Sequence, residues 1–246
     1  MNAIERARHL LATARAAGVQ LDAGNLQGAA AQFYAAEIGA RYRARRASAP
    51  PRPRLAVAGD GVVTMNVSGR IDEAASRKLA RNLRDAKAGG AKTILLVVDS
   101  PGGLLPDAKA MFDALRGSGL GVVAHVKQAL SAASFLALAA DHIVLDAAGT
   151  FMLHRCHGGT GPDDRRAWDA EVIQVYLDRN PCTDAEQLVS YFQNNGDTVI
   201  EPSAALASGW CDEIGSSFAA RRVAVSYARG APPFSSRRAA LAARGA

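Results

Sequence analysis

Three polar residues in the second half of the chain are of the types that acyl transfer requires. Ser134 lies near the start of an Ala-rich stretch, His154 ends a short apolar run, and Asp197 follows a glycine in a loop. A serine hydroxyl is too weak an acid to attack an amide unaided, so it needs a neutral imidazole as base and a carboxylate to hold the imidazole tautomer. We therefore predict Ser134 as nucleophile, His154 as base and Asp197 as orienting acid. Ser131 is a competing nucleophile.

A glycine-rich turn offers the backbone donors that a tetrahedral oxyanion needs. Residues 99–103, with the sequence DSPGG, follow an apolar, β-branched run at 93–98 and precede a helical pattern. Turns at the carboxyl ends of parallel strands are where open α/β sheets bind their ligands, and glycine leaves the backbone N–H unhindered. We expect an oxyanion hole formed by the N–H groups of Gly103 and Phe135. A plain strand-to-helix turn is the alternative interpretation.

The hydrophobic periodicity alternates between strand and helix through the middle of the chain. Patterns typical of strands lie at 62–67, 93–98, 121–126, 142–145 and 150–153. Helical patterns lie at 72–87, 104–115, 163–179, 183–193 and 202–207, and a small, apolar stretch at 131–140 predicts a buried helix. Strands separated by single helices indicate right-handed parallel crossovers, and therefore an α/β fold.

Basic segments flank this predicted domain. The chain has 246 residues and a net charge of +6, but residues 1–54 carry nine Arg against three acids, and residues 216–246 carry six Arg and no acid. We predict a helical, Arg-rich extension with a Pro-rich linker at 1–54, a globular domain at 55–215, and a basic, partly disordered tail at 216–246. The globular part is acidic overall, which argues against a nucleic-acid-binding face.

The ordered motifs of the middle segment resemble the Clp protease proteolytic subunit (ClpP) family, and most closely its phage-type, prohead-protease-like members. The resemblance rests on DSPGG at 99–103, AAS at 132–134, FMLH at 151–154, GG at 158–159, the acids Asp164 and Asp197, ASG at 207–209 and DEI at 212–214. It implies a ClpP/crotonase-like fold of repeated β-β-α and βαβ units, and serine endopeptidase activity. Residue by residue, it gives the nucleophile, base and acid as Ser134, His154 and Asp197.

The resemblance also implies partners for such an enzyme. They are a polypeptide substrate, further copies of the chain in a homo-oligomeric ring, and an AAA+ unfoldase. A phage maturation protease would instead act on capsid or scaffold proteins without an ATPase. No metal or organic cofactor is required. The alternative from another class is a non-catalytic assembly or adaptor protein with the same fold.

Two related enzyme classes fit the motifs less well. The signal-peptide-peptidase family shares the Ser-Pro-Gly-Gly and Ala-Ala-Ser motifs but uses a lysine base, whereas this chain has His154. Crotonases use similar backbone oxyanion holes on acyl-CoA and have no use for an aligned Ser-His-Asp set.

The remaining composition bears on compartment and metal binding. Three cysteines without C-x-x-C spacing fit a reducing compartment, and no apolar run has the length of a membrane span. We expect a cytoplasmic protein, with an organelle transit peptide as the alternative for the Arg-rich start. His154, Cys156 and His157 are too close in sequence to complete a tetrahedral zinc site, so we predict no metal.

Overall fold

A six-stranded sheet forms the centre of the computed structural model, which describes residues 57–157, 162–180, 184–193 and 196–230. The strands are β1 (Val62–Ser68), β2 (Thr93–Ser100), β3 (Gly121–Leu130), β4 (His142–Leu153), β5 (Thr198–Ile200) and β6 (Glu213–Ile214). The helices are α1 (Glu73–Ala88), α2 (Leu105–Arg116), α3 (Ala132–Ala137), α4 (Pro162–Arg179), α5 (Ala185–Gln193), α6 (Pro202–Ala207) and α7 (Ser217–Ala228).

The sheet is built by parallel crossovers from β1 to β4. These four strands lie side by side in chain order and run parallel, with α1, α2 and α3 as the three connections. β5 is antiparallel to the carboxyl half of β4, and β6 is parallel to its amino half. The predicted α/β fold class is confirmed.

The strand sequences follow from burial on both faces of the sheet. In β2, Ile94 and Leu96 pack into the larger core cluster with α1 and α2, while Leu95 points to the opposite face. A strand covered on both sides needs apolar residues at successive positions, which is why the run at 93–98 carries no charge. Asp72 caps α1 by accepting a hydrogen bond from Ala75 N at 2.9 Å, as its position before the helical pattern indicates.

The segment after residue 215, predicted as a basic, partly disordered tail, begins with a helix that the sequence analysis did not predict. Residues 217–228 form helix α7, and its buried Ala220 and Ala224 pack against the second face of the sheet. Arg221 pairs with Asp60 at 2.6 Å, so part of the basic charge is used inside the domain. Small residues spaced by four on one helix face can lie directly on a sheet, which a count of arginines does not reveal. Residues 231–246, like the predicted extension at 1–54, lie outside the described residues.

Other boundaries differ in detail. The two strands predicted at 142–145 and 150–153 are one strand, β4, whose pairing with β3 shifts register beyond Val126. Helix α3 ends at Ala137 because the next turn is tighter: Leu138, Ala139 and Ala140 each donate to the carbonyl three residues back. The short strands β5 and β6 have no periodicity long enough to predict.

Candidate active site

The register of the sheet brings three loops to one edge. Ser100 at the end of β2 is paired with Ala129, and Leu130 at the end of β3 is paired with Met152. The segments that follow these three strands therefore leave the sheet side by side. Ser131 N donates to Met152 O at 2.9 Å, which ties the start of α3 to the end of β4.

Ser131, and not Ser134, contacts the predicted base. Ser131 Oγ lies 2.6 Å from His154 Nε2. Ser131 occupies the residue before α3 with φ of 55° and ψ of −126°, a left-handed conformation that is unusual for a residue other than glycine. Such strand-to-helix turns expose a side chain at the top of a sheet. Ser131 is half-buried and faces the same pocket as His154.

Ser134 lies one turn further along, inside α3. Its side chain is 1% exposed, and its Oγ donates to Ser131 O at 2.6 Å. The buried Tyr176 hydroxyl lies beside it, and burial raises the pKa of Tyr176 while the neighbouring Ser134 opposes that rise. The structure thus brings Ser131 together with His154, whereas Ser134, which lines the same pocket, has its hydroxyl bonded to the backbone of Ser131. The assignment of Ser134 as nucleophile remains a prediction that this geometry does not favour.

The Pro-Gly-Gly turn lies directly against the start of α3. A Cβ atom on Gly102 would lie 2.4 Å from Leu130 O and 3.1 Å from Ala132 N, so only glycine permits this approach. Gly102 O accepts from Ile71 N at 2.8 Å, and Leu104 N donates to Ile71 O at 2.9 Å, which leaves the Gly103 N–H outside this bridge. Gly103 lines the pocket as predicted for an oxyanion donor.

The second predicted donor, Phe135, is not suited to that role. It is the fourth residue of α3, so its N–H belongs to the helical i→i−4 pattern, and the residue is 2% exposed. Ala132, the first residue of α3, has one of the N–H groups that a helix leaves without an internal partner. It follows Ser131 directly and lines the pocket. Ala132 is therefore better placed than Phe135 to donate to an oxyanion.

His154 is held in its neutral form by its surroundings. Burial lowers the pKa of His154 below its ordinary value of 6.5, the charge of His157 lowers it further, and Asp197 acts in the opposite direction. The two imidazole rings lie with their centroids 4.6 Å apart. A neutral imidazole can accept a proton through Nε2, which is the nitrogen that faces Ser131.

The third predicted residue, Asp197, is near but not in contact. It is exposed, and its charge acts on His154 through space. His154 Nδ1 is buried and has no hydrogen-bond partner among the residues that the structure describes. A second acid, Asp169, is 8% exposed, accepts from Cys156 N at 2.7 Å, and also raises the pKa of His154 through its charge. The structure thus places two carboxylates around His154.

The site opens into an apolar pocket of about 410 Å³. Its polar edge contains Ser131 and His154, and Arg70 and Asp107 lie at its wall. The apolar part of the lining consists of Leu104, Leu105, Pro106, Ala132, Phe135, Leu153, Trp168, Val172 and Phe192. A pocket of this size and character accepts an apolar side chain.

The described part of the chain contains no group of three or more His, Cys, Asp or Glu side chains that could hold a metal ion. No helix in the described ranges is long and apolar enough to cross a membrane.

Comparison with known sequences finds similarity to NfeD1b proteins over the middle of the chain. The family model described as the NfeD1b N-terminal domain matches residues 61–163. The membrane protein NfeD1b of Bacillus subtilis (strain 168) is 38% identical over 124 residues, which are 48% of this chain and 28% of that protein. The chain thus matches little more than a quarter of its relative's length. The match is to NfeD1b rather than to a phage-type prohead protease, so the phage-type assignment is not supported.

Comparison with solved structures gives the fold. ClpP1 from Listeria monocytogenes has a TM-score of 0.58 at 16% sequence identity, over 62% of this chain and 91% of its own chain. A mutant of the same ClpP1 has a TM-score of 0.59 at 15% identity, over 64% of this chain and 93% of its own. A mutant of the 1510-N membrane-bound stomatin-specific protease has a TM-score of 0.52 at 17% identity, over 63% of this chain and 79% of its own. The chain has a ClpP-like fold.

Proposed function

We propose that this chain is a serine endopeptidase in which Ser131 is the nucleophile and His154 the general base. The observation that carries the proposal is the 2.6 Å contact between Ser131 Oγ and His154 Nε2 at the edge of an apolar pocket. The left-handed backbone of Ser131 and the adjoining glycine turn support it, because strain of this kind is typical of functional sites. This replaces Ser134 by Ser131 in the triad predicted from sequence.

The reaction begins with proton transfer from Ser131 to His154. Neutral His154, with its proton on Nδ1, takes the hydroxyl proton at Nε2 while Ser131 Oγ bonds to the scissile carbonyl carbon. The carbonyl oxygen becomes an oxyanion and accepts hydrogen bonds from the N–H groups of Gly103 and Ala132. The carbon–nitrogen bond then breaks as His154 protonates the leaving amine. Water then gives a proton to His154 and attacks the acyl ester. His154 returns this proton to Ser131 Oγ as the ester bond breaks, which releases the new carboxyl terminus and regenerates Ser131.

Asp197 serves as the orienting acid in this proposal. Its negative charge raises the pKa of His154, which is the effect required to stabilise the imidazolium that forms during catalysis. The free subunit leaves His154 Nδ1 without a partner among the described residues, so Asp197 moves onto Nδ1 when substrate binds or subunits assemble. Catalytic hydrogen bonds are often long before substrate binds.

The substrate is a polypeptide with an apolar residue beside the bond that is cut. The lining of Phe135, Trp168 and Phe192 favours a large aliphatic or aromatic side chain. Because the 1510-N protein is named a stomatin-specific protease, a stomatin segment is the physiological substrate to test first.

Digestion of a peptide mixture prepared from a whole proteome tests the function. With wild-type protein we expect new peptide termini that follow or precede large apolar residues. With Ser131→Ala or His154→Ala we expect no new termini. Absence of cleavage by folded wild-type protein would contradict the proposal and favour the non-catalytic assembly or adaptor role.

The cytoplasmic location and the ring, unfoldase and capsid or scaffold partners stay predictions. The sequence relative is named a membrane protein, so separation of producing cells into soluble and membrane fractions is the direct check of location. Light scattering of the purified full chain checks the ring.

A further inference from the structure

We propose that Ser134 is a positioning residue that fixes the peptide between Ser131 and Ala132 and so aims the Ala132 N–H at the oxyanion. The inference rests on the proposed function, since an oxyanion forms only if Ser131 attacks a carbonyl. It gives the buried serine of the AAS motif a role that is separate from nucleophilic attack.

The carbonyl of Ser131 is held by two donors from one residue. Ser134 N donates to Ser131 O at 2.9 Å, and Ser134 Oγ donates to the same oxygen at 2.6 Å. A trans peptide directs its C=O and its N–H to opposite sides, and the described residues contain no cis peptide bond. With the Ser131 carbonyl turned into α3, the Ala132 N–H points the other way, toward the glycine turn and the pocket.

This peptide needs such a restraint because of its conformation. Ser131 has φ of 55° and ψ of −126°, in a region that side chains disfavour, and such a conformation persists only where its surroundings hold it. A flip of this peptide would relieve the strain and would turn the Ala132 N–H away from the oxyanion. The Ser134 hydroxyl opposes that flip.

The first oxyanion donor is held in the same way. The carbonyl of Gly102 accepts from Ile71 N at 2.8 Å, which directs the Gly103 N–H to the opposite side of its own peptide. That restraint comes from the backbone. The restraint at Ser131 includes a side chain, so it can be removed by substitution.

Ser134 lines the same pocket as Ser131, but its hydroxyl is engaged by the backbone and not by His154. Its side chain is 1% exposed and lies beside the buried Tyr176 hydroxyl. Ser134→Ala keeps the backbone bond to Ser131 O and removes the hydroxyl bond. We therefore expect a loss smaller than the roughly hundredfold to thousandfold caused by removing a whole oxyanion donor, of about tenfold to hundredfold.

The kinetics of labelling by a fluorophosphonate probe test this role. The tetrahedral adduct places an oxygen in the oxyanion hole, so the maximal labelling rate depends on the Ala132 N–H whereas probe binding does not. We expect Ser134→Ala to lower the maximal rate about tenfold to hundredfold with an unchanged half-saturating probe concentration. Ser134→Thr, which retains the hydroxyl, should restore most of that rate.

Two further variants separate the role from general stability. Ser118→Ala removes another buried serine, whose Oγ accepts from Leu120 N at 3.1 Å at the far end of β3, and should label like wild type. If Ser134→Ala does not fold, Ser134→Cys keeps the shape with a much weaker donor and takes its place.

The outcomes distinguish this inference from the function on which it rests. Two results would overturn the positioning role and leave the proposed protease function intact, provided that wild type is labelled on Ser131. One is an unchanged maximal labelling rate in Ser134→Ala, and the other is an effect of this variant on probe binding alone. Labelling on Ser134 itself would overturn it too. No labelling of folded wild type would overturn the proposed function and this inference with it.

Discussion

Ser131 and His154 meet because two neighbouring strands end in register, and the chemistry of the site depends on the protonation of that one imidazole. Burial and the charge of His157 both favour the neutral form of His154, and Asp197 favours the charged form. Because its pKa is lowered, His154 keeps the neutral, proton-accepting form down to a lower pH. It is also a weaker base, so it binds the serine proton less strongly during the reaction.

The rate of fluorophosphonate labelling should therefore rise with pH through a midpoint below 6.5, the ordinary value for histidine. His157→Gln removes a group that lowers the pKa of His154, so its midpoint should lie higher than that of wild type. The second-order labelling constant measured from about pH 4.5 to about pH 8 covers the titration. A midpoint above 6.5 in wild type, or one that His157→Gln leaves in place, would contradict this account.

Asp197→Asn should lower peptide hydrolysis at least about tenfold, because an uncharged amide neither stabilises the imidazolium nor fixes its tautomer. The midpoint of the pH profile should also fall, since the charge of Asp197 raises the pKa of His154. Asp178→Asn is the matched control, because Asp178 is an exposed carboxylate on α4 whose described partner is Gln174. Unchanged hydrolysis by Asp197→Asn would contradict the orienting role of Asp197. Asp169 would then be the next carboxylate to test.

From the sequence we predicted His154 as the base, the glycine turn as an oxyanion donor and Ser134 as the nucleophile, whereas we now propose Ser131 as the nucleophile. Ser131 and Ser134 differ by three residues, so both can lie on one helical face, and the AAS motif singled out the second. The deciding fact is local: Ser131 occupies the turn between β3 and α3, whereas Ser134 lies within the helix. The strand predicted from the sequence ends at 126, whereas β3 continues to Leu130, so the position of Ser131 directly after a strand was not apparent from the sequence.

At the scale of elements, the Pro-Gly-Gly turn is held to the loop between β1 and α1 by the isolated bridge between Ile71 and Gly103. A Cβ atom on Gly103 would lie 2.0 Å from Ile71 O, so a side chain here must separate the two backbones. The turn, the bridge and the start of α3 therefore behave as one rigid unit.

Gly103→Ala should lower the free energy of unfolding by about 2–4 kcal/mol and abolish labelling, because the displaced turn carries an oxyanion donor. Gly90→Ala is the control: Gly90 has φ of 79° but open space around it, so it should cost about 1–2 kcal/mol of backbone strain and leave labelling unchanged. Urea unfolding and labelling of both variants provide the comparison. Full activity in Gly103→Ala would show that this turn does not form the oxyanion hole.

His125 in β3 should make the domain sensitive to acid. It is 1% exposed, burial lowers its pKa, and Asp146 Oδ2 at 3.4 Å from Nε2 opposes that effect only in part. The unfolded chain takes up the proton near pH 6.5 and the folded chain only at lower pH, so this contribution to stability is present above pH 6.5 and is lost as the pH falls from there through the lower pKa of the folded state. The urea midpoint should drop between about pH 7.5 and about pH 5.5, and less steeply in His125→Gln. An identical pH slope in the variant would contradict this role.

For the whole molecule, the unexpected feature is α7. We predicted residues 216–246 as a basic, partly disordered tail, yet Ala220 and Ala224 cover Val62, Leu95, Val123 and Val144 on the second face of the sheet. The parallel core was predictable because strands buried on both faces leave long apolar runs. One of those faces is covered by α7, and the Arg-rich composition of its sequence did not indicate that one side of this helix is apolar.

Truncation of the chain after Gly215 should therefore expose this face and give a poorly soluble or partly folded protein. A chain that ends at Gly230 keeps α7 and should unfold cooperatively with nearly the full thermal midpoint. Thermal unfolding followed by circular dichroism compares the two. Equal stability of both truncated chains would mean that α7 contributes nothing to the core.

The most direct test of the central claim is to identify the modified residue after fluorophosphonate labelling of wild-type protein. Fragmentation of the peptide that contains residues 131–134 separates the two serines by mass. We predict that the adduct is on Ser131 and disappears in Ser131→Ala. An adduct on Ser134, or none on a folded sample, would contradict the account.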